Sequence, residues 1–266
     1  MDAEIGIIGG SGFYSLLEDA EEVEVKTEYG APSDKIGIGL ISGRKVAFIP
    51  RHGKGHRIPP QKVPYRANIT ALKELGVKRI IATNAVGSLK PEYKPSEMVF
   101  IDQYVNMTHG REDTFFDKDV VAHVSSAEPY CEELRKLGVK TAERLGIKHH
   151  REGTIVVING PRFSTKSESR FFSAQGFDII GMTQYPEVAL AREKEMCYFG
   201  IALVTDYDVG LEGRSEIKPV SAEEVGRIFN NNVKSVKELI HSLVPSIPEK
   251  QSCQCSKALD GAVLSH

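Results

Sequence analysis

Apolar residues fall along this chain in two alternating rhythms. The first is a short Val/Ile-rich run that stops at a glycine or polar turn, at 4–8, 35–41, 45–49, 78–83, 98–104, 153–158, 178–181 and 198–205. Several of these runs are apolar at successive positions, the pattern of strands buried on both faces. The second rhythm is helical. Segment 65–75 carries Ile69, Leu72 and Leu75, and segment 132–145 carries Leu134, Leu137 and Leu145, with Gly146 as a stop. Ser221-Ala222-Glu223-Glu224 has the form of a capping box. It opens a long helix with Val225, Phe229, Val236 and Leu243 on its apolar stripe. A further helix starts at Thr183, with Pro186 in its first turn. The alternation predicts an α/β fold, one domain with a central mixed β-sheet flanked by helices. With no repeat and no low-complexity linker, residues 1–245 read as that domain. Residues 246–266 read as a polar C-terminal tail, lying on the surface or docked on a neighbour.

Composition narrows the function without naming it. The 266 residues are 41% hydrophobic and 26% charged, ordinary for a water-exposed globular fold. The formal net charge of -2 gives no reason to expect a nucleic-acid or membrane surface. The first residues, MDAEIGIIGG, lack a basic region and a long apolar stretch, so a cytoplasmic protein is expected. Cys131 and Cys197 lie among apolar neighbours and read as buried thiols. Cys253 and Cys255 form a C-x-C near the tail, too few ligands for a structural metal site. In a hyperthermophilic source, Cys131–Cys197 and Cys253–Cys255 bridges become a second reading.

The candidate chemistry sits where apolar runs end. Gly9-Gly10-Ser11-Gly12, Arg51-His52-Gly53-Lys54-Gly55-His56 and Thr83-Asn84-Ala85-Val86-Gly87-Ser88 each place backbone N–H groups, hydroxyls or cations at a strand terminus. Such groups hold oxyanions, and open α/β sheets bind ligands at the carboxyl ends of their strands. The glycine spacing at residues 6, 9, 10 and 12 is wrong for a dinucleotide fingerprint, the rival reading. Thr183 either caps its helix or uses that N-terminus to bind an anion. Asp206 and Asp208 end a buried run, two residues apart, so in an extended chain both face one ligand edge. Phe163 either stacks on a flat ring or belongs to the core.

Taken as a set, GGSG, RHG, PYRANI, NAVGSL, GPRFST, GMT-PE, LARE-MCY and TDYD resemble the trimeric purine nucleoside phosphorylases, and among them the branch acting on 5′-methylthioadenosine. The resemblance spans residue 4 to about residue 245. It implies phosphorolysis of 5′-methylthioadenosine, with adenosine as a further substrate and 6-oxopurine nucleosides as the alternative. It implies no cofactor, inorganic phosphate as co-substrate, and a homotrimer or dimer of trimers. Transferred by position, phosphate would meet Ser11, Arg51, His52, Asn84, Ala85 and Thr183. Met182 would lie under the ribose, and Phe163 and Ser164 beside the purine. Asp206 would serve N7 and Asp208 the exocyclic amine, as the catalytic pair. Ala222 and Val225 would form the 5′ pocket, and His123 would reach a neighbouring subunit's ligand. The loop 209–219, which should flank that pocket, departs from the pattern by lacking an aromatic residue.

Overall fold

The computed structural model describes residues 3–209 and 220–264. In chain order its elements are β1 (Ile5–Gly9), β2 (Glu18–Val23), β3 (Ile36–Ile41), β4 (Arg44–Pro50), α1 (Tyr65–Glu74), β5 (Arg79–Ser88), β6 (Met98–Phe100), β7 (Gln103–Met107), α2 (Glu132–Leu145), β8 (His149–His150), β9 (Thr154–Ile158), α3 (Lys166–Ala174), β10 (Ile179–Gly181), α4 (Gln184–Glu193), β11 (Cys197–Asp206) and α5 (Ala222–Leu243). Short 3-10 turns follow β1 and α5.

All strands join one mixed sheet, as the alternation predicts. Its main path runs β2-β3-β4-β1-β5-β10-β9-β7. The ten-residue β5 is its axis, pairing in parallel with β1 on one side and β11 on the other. Its last residues then turn to pair with β10 in antiparallel sense. Burial on both faces explains the unbroken apolar runs: Ile5 and Ile7 pack with Leu134 and Leu239 of α2 and α5, whereas Ile8 packs with Ile69 and Val188 of α1 and α4. Helix α2 lies so close on β11 that a Cβ at Gly138 would sit 2.4 Å from the Phe199 ring. No helix among the described residues is long and apolar enough to cross a membrane.

Three local expectations change. The run 98–104 divides into β6, which pairs with β11, and β7, which pairs with β9. Asp102 stands between them, and its carboxylate accepts from the Gly153 N–H at 2.9 Å. The Ser221 hydroxyl accepts from Glu224 N at 3.2 Å, but the Glu224 carboxylate turns to Arg227, so only half of the predicted box forms. A complete box forms instead at α3, between Thr165 and Glu168. The tail folds onto its own chain: Arg44 donates to the Ile247 carbonyl at 2.9 Å, Ala122 bridges Val263, and Ile247 and Cys255 are buried.

Candidate active site

The carboxyl ends of β1, β4, β5, β10 and β11 converge on one cavity of about 680 Å³, within the range of small-molecule sites. Gly10, Arg51, His52, Asn84, Ala85, Met182, Thr183, Phe163, Ser164, Asp206, Asp208, Ala222 and Val225 all line it. The fold therefore brings together nearly all the residues singled out above. The Ser11 side chain and residues 210–219 lie outside the described residues. His123 does not line the cavity. It is exposed, and its N–H is bound to the Ala262 carbonyl at 2.9 Å.

Arg51 differs from a solvated clamp. Its side chain is 2% exposed, and its Nε and Nη2 donate to both oxygens of Glu187 at 2.7 and 2.8 Å. Nη1 donates to the Thr83 carbonyl at 2.7 Å. Burial disfavours the guanidinium charge, and Glu187 more than offsets this. His52 donates from Nδ1 to the Ile58 carbonyl at 2.8 Å, leaving Nε2 as an acceptor. Burial, with help from Arg51, pushes its pKa down to about 4, so the ring is neutral near pH 7. His52 stacks on His56 at 4.2 Å, and Arg57 is drawn to Asp34. The second turn thus carries less positive charge than its sequence suggests.

Asn84 is held by α4: Gln184 Nε2 donates to its Oδ1 at 2.9 Å, leaving Nδ2 without a partner. Thr183 stands at the N-terminal boundary of α4, yet its side chain makes no cap, and Tyr185 at φ -108° and ψ 135° interrupts the predicted first turn, so regular helix begins only after it. Thr83, not anticipated as a ligand, also lines the cavity, and its buried Oγ1 has no partner. The only advance signal was a hydroxyl adjoining Asn84 in a strand-end turn. Arg111, also unanticipated, binds the carbonyls of Asn159 and Met182 at 2.9 Å each and ties the ends of β9 and β10 together.

The two acids do not meet the cavity as neighbours on a regular strand. The ladder slips between Val204 and Asp206, and Asp208 adopts φ 50° beyond the strand end. Asp206 accepts from Thr205 Oγ1 at 2.7 Å and from Asp208 N at 2.8 Å. Gly87 makes room for this turn, since a Cβ there would lie 3.0 Å from Asp206 Oδ1. Burial raises the Asp206 pKa to about 6, against those two hydrogen bonds and with a small push from Asp208. Burial also raises that of Asp208, with the Ser169 and Ser164 hydroxyls pulling the other way. Asp208 Oδ2 and Ser164 Oγ are buried, and beyond that mutual influence neither has a further partner among the described residues.

A second cluster lies away from the cavity. Because the tail folds back, the Sγ atoms of Cys131, Cys197, Cys253 and Cys255 all lie within 4.8 Å of one another. Counting the C-x-C as an isolated pair therefore understated the ligands available. Cys197 and Cys253 are 3.3 Å apart and unbonded. That is shorter than the ~3.8 Å edge of a tetrahedral sulfur shell built on 2.3 Å zinc–sulfur bonds. It is also well beyond the ~2.05 Å of a disulfide bond, so the cluster holds four free thiols at a spacing nearer that shell than a closed bridge.

The phosphorylase superfamily profile matches residues 4–245. The S-methyl-5'-thioadenosine phosphorylase of Thermofilum pendens is 57% identical over 263 residues, 98% of each chain. That of Pyrococcus abyssi is 55% identical, covering 96% of this chain and 97% of its own. Among solved structures, a methylthioadenosine phosphorylase from an antarctic soil metagenomic library superposes with a TM-score of 0.92 at 42% identity, covering 99% of this chain and 93% of its own. A mutant adenosine/methylthioadenosine phosphorylase from Schistosoma mansoni in complex with adenine gives 0.92 at 36% identity, over 98% and 99%.

Proposed function

We infer that this chain, which belongs to the phosphorylase superfamily, is a pentosyltransferase that cleaves 5′-methylthioadenosine with phosphate, and adenosine as a second substrate. The products are adenine and 5-methylthio-ribose-1-phosphate. One observation carries this reading: two buried polar atoms without partners, Thr83 Oγ1 and Asn84 Nδ2, belong to residues that line one cavity together with Asp206 and Asp208. Buried polar groups are normally paired, so a ligand with both donors and acceptors fits this cavity. A phosphate and an aminopurine together supply them.

In the proposed reaction a phosphate oxygen bonds to C1′ as the C1′–N9 bond breaks, and the electron pair leaves with the purine. Arg51, His52, Asn84, Ala85, Thr183 and Ser11 hold the phosphate, and Met182 lies against the ribose. Asp206, protonated, donates to N7 as negative charge grows there, a contribution of ~10²–10⁴-fold for a positioned acid. Its burial supports that role, because a carboxyl with pKa about 6 keeps an appreciable proton near neutrality. Asp208 accepts from the exocyclic amine, which a 6-oxo group cannot donate, and Phe163 and Ser164 flank the base. Ala222 and Val225 take the methylthio end. Atoms balance with phosphate as co-substrate and no cofactor.

The proposed working unit is a homotrimer or dimer of trimers in the cytoplasm, with His123 serving a neighbour's ligand. Exposed Val120, Val121, Val263 and Leu264 surround the Ala122–Val263 bridge beside His123, an apolar face suited to a second copy. Native mass measurement tests this part.

The central test is base release from 5′-methylthioadenosine, adenosine and inosine, with and without phosphate. Phosphate-dependent adenine release with little from inosine is expected. Preferential inosine cleavage would overturn the base assignment, and release without phosphate would overturn phosphorolysis.

A further inference from the structure

Two side chains near the start of α4 do not themselves line the cavity, yet each grips a residue that does. Glu187 is fully buried and binds Arg51 through both carboxylate oxygens. Its Oε1 also accepts from Tyr198 OH at 2.6 Å, so the carboxylate is itself oriented by the core. Gln184 is equally buried. Its Oε1 accepts from Tyr130 OH at 3.0 Å, and its Nε2 donates to Asn84 Oδ1 at 2.9 Å. The two tyrosines pack on each other with ring centres 5.9 Å apart.

The arrangement determines what the cavity receives. A guanidinium has five N–H donors. Three of those on Arg51 are taken by Glu187 and the Thr83 carbonyl, and the others remain on a group lining the cavity. Without Glu187 the guanidinium would be a long, buried cation with one fixed bond. Asn84 raises the same issue. An amide can present either its oxygen or its nitrogen, and an exposed oxygen would repel an anion. Gln184 engages the oxygen, so the unpartnered end is the Nδ2 donor.

We propose that Gln184 and Glu187 are positioning residues for the anion co-substrate, Gln184 by turning Asn84 to present its N–H groups and Glu187 by fixing the Arg51 fork. This rests on the phosphorolysis reading and extends it. Thr183 directly precedes Gln184, so the short segment Thr183–Glu187 organises three contacts to a single anion. The pairing also means that Arg51 and His52 together bring little net positive charge to the anion. Arg51 is balanced by Glu187, and His52 carries no charge near pH 7. Aligned dipoles and hydrogen bonds, rather than excess positive charge, then bind the anion.

The test uses Gln184→Met, Tyr198→Phe and Glu187→Gln in the full chain. Breaking a buried ion pair can prevent folding, so Gln184→Met and Tyr198→Phe keep the proposal testable if Glu187→Gln fails to fold. Inorganic phosphate and adenine are titrated separately by calorimetry, and KM is measured for phosphate and for 5′-methylthioadenosine. Loss of one hydrogen bond to a charged group is typically about tenfold or more. Gln184→Met is expected to raise KM for phosphate about tenfold, with adenine affinity held within about twofold. Glu187→Gln is expected to exceed that, and Tyr198→Phe to fall short of it. If adenine and phosphate weaken together, the residues act only on the fold and the proposal fails. If phosphate affinity is unchanged in Gln184→Met, it also fails. Should the unmodified protein release adenine without phosphate, the phosphorolysis reading itself falls and takes this inference with it.

Discussion

The backbone N–H of Asp208 donates to Asp206 Oδ1 at 2.8 Å, so the turn that carries one acid orients the other. Asp206 is thereby fixed on both oxygens, whereas the Asp208 carboxyl has the Ser169 and Ser164 hydroxyls beside it. The two acids are adjacent but chemically unequal, one poised to hold a proton and one to accept a hydrogen bond.

The first prediction concerns the proton. Asp206 has a pKa of about 6, raised by burial, and acts in its protonated form. The pH profile of kcat/KM for 5′-methylthioadenosine should therefore fall as pH rises through about 6, on top of any phosphate titration. Asp206→Asn should remove that limb and move preference toward 6-oxopurine nucleosides. An unaltered limb in the variant would assign the proton elsewhere. The linkage to stability has the same direction. A carboxyl with a raised folded pKa favours the folded state at low pH and loses that contribution as pH rises through about 6.

Asp208 offers a cleaner test of base recognition. Its φ of 50° lies in the left-handed region, which Asn tolerates better than Ala. Asp208→Asn therefore alters charge while leaving the turn in place. KM for the nucleoside should rise by about 10–100-fold, the loss of a hydrogen bond to a charged group. KM for phosphate should hold. Equal losses for both substrates would indicate a collapsed turn.

His52 should remain neutral through the physiological range. A ring resonance followed by NMR should titrate near pH 4, displaced downward by burial and by Arg51. Because the folded value lies below the ordinary one, this residue costs stability as pH falls from about 6.5 toward 4. A midpoint above 6 would mean that the ring is solvated and that its bond to Ile58 does not persist.

Packing gives a prediction independent of function. Gly138→Ala forces a methyl to within 2.4 Å of Phe199, in a core where α2 cannot retreat without uncovering β11. Overpacking of this kind costs about 1–3 kcal/mol. Thermal unfolding should show a lowered midpoint. An unchanged midpoint would mean that the Phe199 ring yields readily.

Much of this architecture could be read from the alternation of apolar runs and helical stripes, because strands buried on both faces leave an unmistakable trace. The acidic β2 left none: its residues are almost all exposed, and it pairs only at the sheet edge with β3. Helix α3 was hidden by a polar sequence that buries only Ser169 and Phe172. The glycine turns and terminal acids lie at strand ends that converge on the cavity. Glu187 and Gln184 went unread because their partners, Arg51 and Asn84, are 136 and 100 residues away. The meeting of the four cysteines was illegible for the same reason, since only the fold of the tail brings Cys253 to Cys197.

That cluster is expected to close under mild oxidant. Four thiols should titrate in the reduced, unfolded chain and none after oxidation, with a raised thermal midpoint because the tail is then tethered to the body. Tight retention of a thiophilic metal by the purified protein would argue instead for a coordination site.

Cys197 begins β11 and Asp206 ends it. At about 3.3 Å per residue, some 30 Å of buried strand separate sulfur from carboxylate. The two chemistries are thus insulated from each other while sharing one mechanical member. Oxidation at the far end is therefore expected to shift durability while leaving the proton at the near end untouched, two quantities mounted on a single beam.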